Sequence, residues 1–89
     1  MERYEWDAET MLAIMQAESS CNPEAVNTSN RDGSRDTGLM QINSIHGIDG
    51  ETLKKPAENI ATAYRIYQTQ GLKAWSTFTS GKYKQFMKE

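Results

Sequence analysis

The sequence predicts a mainly α domain of α+β type: several short helices carrying one small β-hairpin around residues 27–37. Three observations carry that prediction. Apolar residues recur at helical spacing over residues 7–20 and again from Pro56 to Gly71. The segment 27–37 has no helical period and holds the turn signal Asp32-Gly33. The other apolar runs are short and are broken at His46-Gly47, Asp49-Gly50 and Ser80-Gly81. With 89 residues the chain is expected to be one domain, 1–89. Its core should be thin, because a chain of this size buries only about 60–65% of its unfolded surface.

With 37% hydrophobic and 25% charged residues, the composition is that of a globular chain rather than a disordered or membrane-bound one. No run approaches the roughly 18 apolar residues of a membrane span, and no basic-then-apolar start resembles a signal peptide. Cys21 is the single cysteine, which rules out an internal disulfide. A net charge of −2 gives no basic footprint, so neither nucleic acid nor a role as a small nucleic-acid-binding domain is expected.

The first helix is expected over residues 7–20, with Asp7 as its cap and Met11, Leu12, Met15 and Ser19 on its buried face. Ile14 widens that face toward Glu18, and Asn22-Pro23 stops the helix within a turn of it. A carboxyl beside apolar side chains at the negative end of a helix dipole should hold its proton. Across the Asp32-Gly33 turn, Asn30 faces Ser34, and the two-residue strand period puts Ser34 and Asp36 on one face. Asn30, Ser34 and Asp36 then form a polar cluster that keeps Asp36 ionised. Two carboxyl groups in contrasting environments are what carbohydrate cleavage uses. The bland alternative makes Asp36 an Asx-turn residue or the cap of a helix starting near Leu39.

Gly38 to Ser44 is expected to be a short helical or turn-like piece, and Asp49-Gly50 a loop. Pro56 suits the first position of a helix whose stripe is Ile60, Ala63, Tyr64 and Tyr67 and whose stop is Gly71. A last helical pair is expected over Lys73–Phe78 and Tyr83–Met87. Thr28, Asn30, Asp32, Ser34 and Asp36 alternate around Gly33 rather like a calcium loop. The twelfth position is Leu39 instead of a bidentate glutamate, so no metal is expected. His46 has no second ligand at metal spacing and is expected to be a loop residue.

Four segments in order carry a resemblance: AIMQAESSCNPEAV, GLMQIN, PAENIATAYRIY and AWSTFTSGKY. Together they resemble the catalytic domain of lytic transglycosylases related to soluble lytic murein transglycosylase, within the lysozyme-like superfamily, over roughly residues 8–86. Inside it, NRDGSRDTGLMQINS is similar to the hairpin of animal c-type lysozymes, the type case for two-carboxyl glycoside cleavage. The resemblance implies a lysozyme-like fold and cleavage of the β-1,4 bond between N-acetylmuramic acid and N-acetylglucosamine in peptidoglycan.

By match, the resemblance makes Glu18 the general acid/base and Asp36 the nucleophile or electrostatic stabiliser. Met40 and Gln41 would line the cleft beside Glu18, the backbone at Asn43 would meet a substrate acetamido group, and Tyr64 and Trp75 would be candidates for the cleft wall. Asn30 and Ser34 would support Asp36. Water would complete the reaction in a hydrolase, and the C6 hydroxyl of the muramic acid in a transglycosylase. The family implies no cofactor, peptidoglycan strands as partner, a monomer, and a periplasmic or cell-wall location. Cys21 takes a position commonly apolar in relatives, so a small buried hydrophobe is expected there. Ala74-Trp75-Ser76 departs from the family's usual Ala-Tyr-Asn and removes a tyrosine hydroxyl near the acid. The chain is also short, so the cleft should be shallow. These departures keep open a module that holds glycan without cutting it.

Overall fold

The structure, a computed structural model, describes residues 4–87; residues 1–3 and 88–89 of the expected 1–89 domain lie outside the described residues. Helix α1 (Ala8–Ser19) starts after Asp7, whose carboxylate accepts the Thr10 hydroxyl at 2.7 Å. It buries Met11, Ala13, Ile14 and Met15. Leu12, expected on that face, is 45% exposed, because it sits about 100° around the helix from Met11 where nothing covers it. The helix stops before Asn22-Pro23. Ser20 and Cys21 take left-handed φ values of 56° and 61°, and the Ser20 N–H returns to the Gln16 carbonyl. That reversal turns Cys21 outward, so it is exposed and not the buried hydrophobe expected. Asn22-Pro23 opens the next turn, with Asn22 Oδ1 accepting the Glu24 N–H.

Strand β1 (Val26–Asn27) pairs antiparallel with β2 (Asp36–Thr37), Val26 opposite Thr37 and Asn27 opposite Asp36. The Asp32-Gly33 turn lies between them, with Gly33 at φ 81°. The Gly38–Ser44 stretch divides instead of forming one piece. Gly38–Gln41 is a turn, Ile42–Asn43 is a third strand, β3, antiparallel to β2, and Ser44–His46 is a single 3-10 turn. Positive φ at Gly38 (82°) and Gln41 (50°) folds this stretch back, so Ile42 lies opposite Thr37 and Asn43 opposite Asp36. The free edge of β2 outweighs the apolar spacing of Leu39, Met40 and Ile42. The sheet therefore carries two cross-strand rows, Val26–Thr37–Ile42 leading into the core and Asn27–Asp36–Asn43 beside it.

Asp49-Gly50 starts a short helix, α2 (Gly50–Leu53), rather than a loop, and it delivers Leu53 to the core. Helix α3 (Pro56–Gln70) begins at the expected proline and stops at Gly71. Its innermost residues are Asn59, Thr62, Ala63 and Ile66, while Ile60 and Tyr67 of the expected stripe pack at the margin. The expected Lys73–Phe78 helix is broken at Trp75. A 3-10 turn (Gly71–Ala74) leads to extended backbone at Trp75 and then to α4 (Ser76–Thr79). Beyond Ser80-Gly81 a 3-10 segment, Lys82–Phe86, replaces the expected α-helix and packs on α1.

One buried polar side chain joins these pieces. Asn59 is fully buried on α3. Its Nδ2 donates to the Thr37 and Leu53 carbonyls, each at 2.9 Å, and its Oδ1 accepts the Met40 N–H at 2.8 Å. It thus satisfies backbone groups on β2, on α2 and in the Gly38–Gln41 turn, which the interior would otherwise leave without partners. Gly38 is required beside it: a Cβ there would collide with Asn59 Nδ2 and the Leu53 carbonyl. The opposite side of the turn is held by Trp75 Nε1, which donates to the Met40 carbonyl at 2.9 Å, and by Ser19 Oγ, which donates to the Leu39 carbonyl at 2.8 Å. Trp75 leaves helical geometry to make that bond.

Asn59→Ala strands three buried backbone groups, each worth about 1–3 kcal/mol when orphaned. We expect a loss of roughly 3 kcal/mol or more in urea unfolding, enough to threaten a domain whose total stability is of order 5–15 kcal/mol. A loss below about 1 kcal/mol would show that the three bonds do not hold the elements together.

Candidate active site

A cleft of about 180 Å³ opens between the sheet and the C-terminal segment. Glu18, Asp36, Gln41, Asn43, Trp75 and Ser76 line it, together with His46, Ile66 and Gln70. Glu18 arrives from the last turn of α1. Asp36 arrives from the middle strand, so the two carboxyls meet across elements that are separate in the chain.

Glu18 is half-buried, and its Oε2 accepts the Thr77 hydroxyl at 2.9 Å. Burial, the dominant influence, raises its pKa above the usual carboxylate range, and the negative charge of Asp36 pushes the same way. The Thr77 hydroxyl and N–H and the Lys82 ammonium pull it down without cancelling the rise.

Asp36 sits in a different setting, as the central member of the Asn27–Asp36–Asn43 row. Its Oδ1 accepts Asn43 Nδ2 at 2.9 Å, and its Oδ2 accepts Asn30 Nδ2 at 3.1 Å and Asn27 Nδ2 at 3.5 Å. Ser34 Oγ accepts from Asn43 and Asn30 at 3.0 and 3.3 Å and donates to Asp32 Oδ1 at 2.6 Å. Ser34 thus locks the amides that hold Asp36 without itself touching it. Asp32 is fully exposed; its pKa is lowered by that hydroxyl and by the Ser34 N–H, and it serves to shape the turn. No helix begins near Leu39 for Asp36 to cap.

The expected cluster of Asn30, Ser34 and Asp36 is therefore assembled, with Asn27 and Asn43 added by strand register. Gln41 lines the cleft and donates through Nε2 to the Ala25 and Gly38 carbonyls, bracing the turn. Asn43 also lines it, with its side-chain amide spent on Asp36 and Ser34 and its Oδ1 accepting the Ile45 N–H. Trp75 forms a wall from below, 3% exposed and tied to Met40. Two expected lining residues lie elsewhere. Met40 is fully buried behind the cleft, because its backbone is held by both Asn59 and Trp75. Tyr64 joins Tyr4, Trp6 and Tyr67 in an aromatic cluster on α3, apart from the cleft lining. Among the described residues no group of three or more His, Cys, Asp or Glu side chains converges to hold a metal ion.

A family model described as "Lysozyme like domain" matches residues 4–77. The chain belongs to this lysozyme-like family. Two relatives match part of the chain. Invasion protein IagB of Salmonella typhimurium is 55% identical over 40 residues, 45% of this chain and 24% of the relative. Protein IpgF of Shigella flexneri is 47% identical over 45 residues, 51% of this chain and 29% of the relative. The matched stretches thus span only about a quarter of these relatives' own length. Among solved structures, the lysozyme of Equus asinus superposes with a TM-score of 0.74 at 24% identity, covering 84% of this chain and 70% of that one. Canine milk lysozyme does so with a TM-score of 0.75 at 23% identity over the same shares. At such identity these structures establish the lysozyme-like fold. No helix among the described residues is long and apolar enough to cross a membrane.

The raised pKa of Glu18 has a thermodynamic consequence. A carboxyl that ionises later in the folded state than in the unfolded one withdraws stability as pH climbs from the ordinary carboxylate range through the raised value. Glu18→Gln keeps the shape and the Thr77 bond but never ionises. The variant should unfold at higher denaturant than the parent near neutral pH, with the gap closing below about pH 4. Equal midpoints at neutral pH would contradict a burial-raised Glu18.

Proposed function

We propose that this lysozyme-like domain cleaves the β-1,4 bond between N-acetylmuramic acid and N-acetylglucosamine in peptidoglycan, with Glu18 as general acid/base. The observation that carries the reading is the pairing in one cleft of a half-buried carboxyl with a raised pKa and a carboxylate held by three asparagine amides. Such a division of labour between two acids supports a protonated group that gives its proton to the leaving glycosidic oxygen. The second acid faces the positive charge that develops on the sugar ring. A cleft open on one side suits a strand lying across it more than a small molecule enclosed in it.

The amide cage around Asp36 supports completion by water rather than by the C6 hydroxyl. A carboxylate fixed by three donors costs little to reorganise when the oxocarbenium-like state forms, and that preorganisation is worth most where charge must persist until water arrives. Trp75, in the place of the family's usual tyrosine, turns its N–H to Met40 and presents no donor to Glu18. Thr77 supplies the hydroxyl instead. The substrate places the activity in the periplasm or cell wall.

A rival reading, glycan binding without cleavage, draws on the same missing tyrosine. Digestion of purified peptidoglycan decides between them. Cleavage should appear with the parent chain and fall by about 10²-fold or more in Glu18→Gln. Binding without released muropeptides would favour the rival.

Mass spectrometry of the products tests the role of water. Hydrolysis leaves reducing muramic acid ends, whereas ring closure leaves 1,6-anhydro ends one water lighter. We expect reducing ends, and a fall of about 10²-fold in kcat for Asp36→Asn. Anhydro products with a nearly active Asp36→Asn would make the chain a transglycosylase.

A further inference from the structure

We infer that Thr77 is the positioning residue that aims Glu18 and sets how readily it gives up its proton; this rests on the reading of Glu18 as the acid/base. The resemblance gives Thr77 no role of its own, and it stands 59 positions from Glu18. The structure brings its hydroxyl to 2.9 Å from Glu18 Oε2 and buries the residue to 8% exposure. A buried threonine hydroxyl aimed at a half-buried carboxyl is a directional contact, because threonine has few χ1 choices and here its Oγ1 faces the acid.

The placement of Thr77 is not accidental to α4. Trp75 must lie in extended backbone for its indole N–H to reach the Met40 carbonyl, and α4 begins at the next residue, Ser76. Thr77 is therefore delivered to Glu18 by a residue anchored on the Gly38–Gln41 turn, and that turn is anchored on Asn59. The line of contacts runs from the buried asparagine to the acid without passing through solvent. Its last link is the bond from the Thr77 hydroxyl to Glu18 Oε2.

The charged groups that act on Glu18 are Asp36 from β2 and Lys82 from the C-terminal 3-10 segment, which oppose each other in sign. Against that background, the Thr77 hydroxyl favours the ionised carboxylate, since it donates to it. An acid that must first protonate the leaving group and then take a proton back needs a pKa that burial alone would carry too high. Thr77 restrains it.

The test uses Thr77→Val, which keeps the volume and removes the donor, and Thr77→Ser, which restores the donor without the methyl. Titration of the Glu18 carboxyl carbon by NMR reads the protonation directly and needs no activity. Thr77→Val should titrate at higher pH than the parent, and Thr77→Ser should return toward it. On peptidoglycan, the alkaline limb of the rate profile should move up in Thr77→Val, with kcat lowered about tenfold, KM unchanged within about twofold, and recovery in Thr77→Ser. If Thr77→Val unfolds, Thr77→Ala removes the same donor and is read in the same way. A Glu18 titration that is the same in the parent and the donor-less variant overturns the inference. So does a serine variant that behaves like the valine one. Absence of cleavage by the parent would instead sink the proposed function, while the NMR titration would still decide the part played by Thr77.

Discussion

The fold depends on one side chain that satisfies three backbone groups at once. A thin core cannot afford loose ends, and the Gly38–Gln41 turn passes through it with its peptide groups exposed to apolar neighbours. Asn59 supplies two donors and an acceptor in the directions the surrounding chain needs, and Gly38 makes room for it. The turn so fixed is also where α1, the sheet and the C-terminal segment touch, through Ser19, Gln41 and Trp75. Removing that turn from its place would leave no wall common to both carboxyls.

The candidate site follows from two contrasting treatments of a carboxyl group. Glu18 lies at the end of a helix, in its last turn, half-removed from water, with one hydroxyl bonded to it. Asp36 lies in the middle strand between two asparagines in register, with a third reaching over from the hairpin turn. The C-terminal end of a helix discourages negative charge and strand rows allow flanking donors on both sides, so secondary structure itself separates the two environments. In this lysozyme-like fold a helix end faces the middle strand of a small sheet across a cleft.

What the residues betrayed in advance was local in origin. Helix α1, the start of α3 at Pro56 and its stop at Gly71 follow from apolar spacing, a rigid ring and a flexible backbone, each read within a few neighbours. Asn30, Ser34 and Asp36 are separated by a single turn, so their meeting was legible from Asp32-Gly33 and the two-residue strand period. The prominence of Glu18 was likewise local: an apolar face and a helix about to end.

Pairings across the chain decided the rest. β3 forms because β2 offers an open edge, and Asn43 faces Asp36 only once that register exists. Asn59 looks like one more polar residue on a helix until three carbonyl and amide groups from elsewhere close around it. Met40 and Tyr64 were drawn toward the cleft by motif position, yet packing put one behind the wall and the other in an aromatic cluster. Trp75 breaks its helix for a bond to a residue 35 positions away, and Thr77 meets Glu18 across 59. Sequence alone determined the two long helices, α1 and α3, and which acid would be shielded, since those depend on near neighbours. Which donors surround each acid belonged to the tertiary structure, because a hydrogen bond needs a direction as well as a partner.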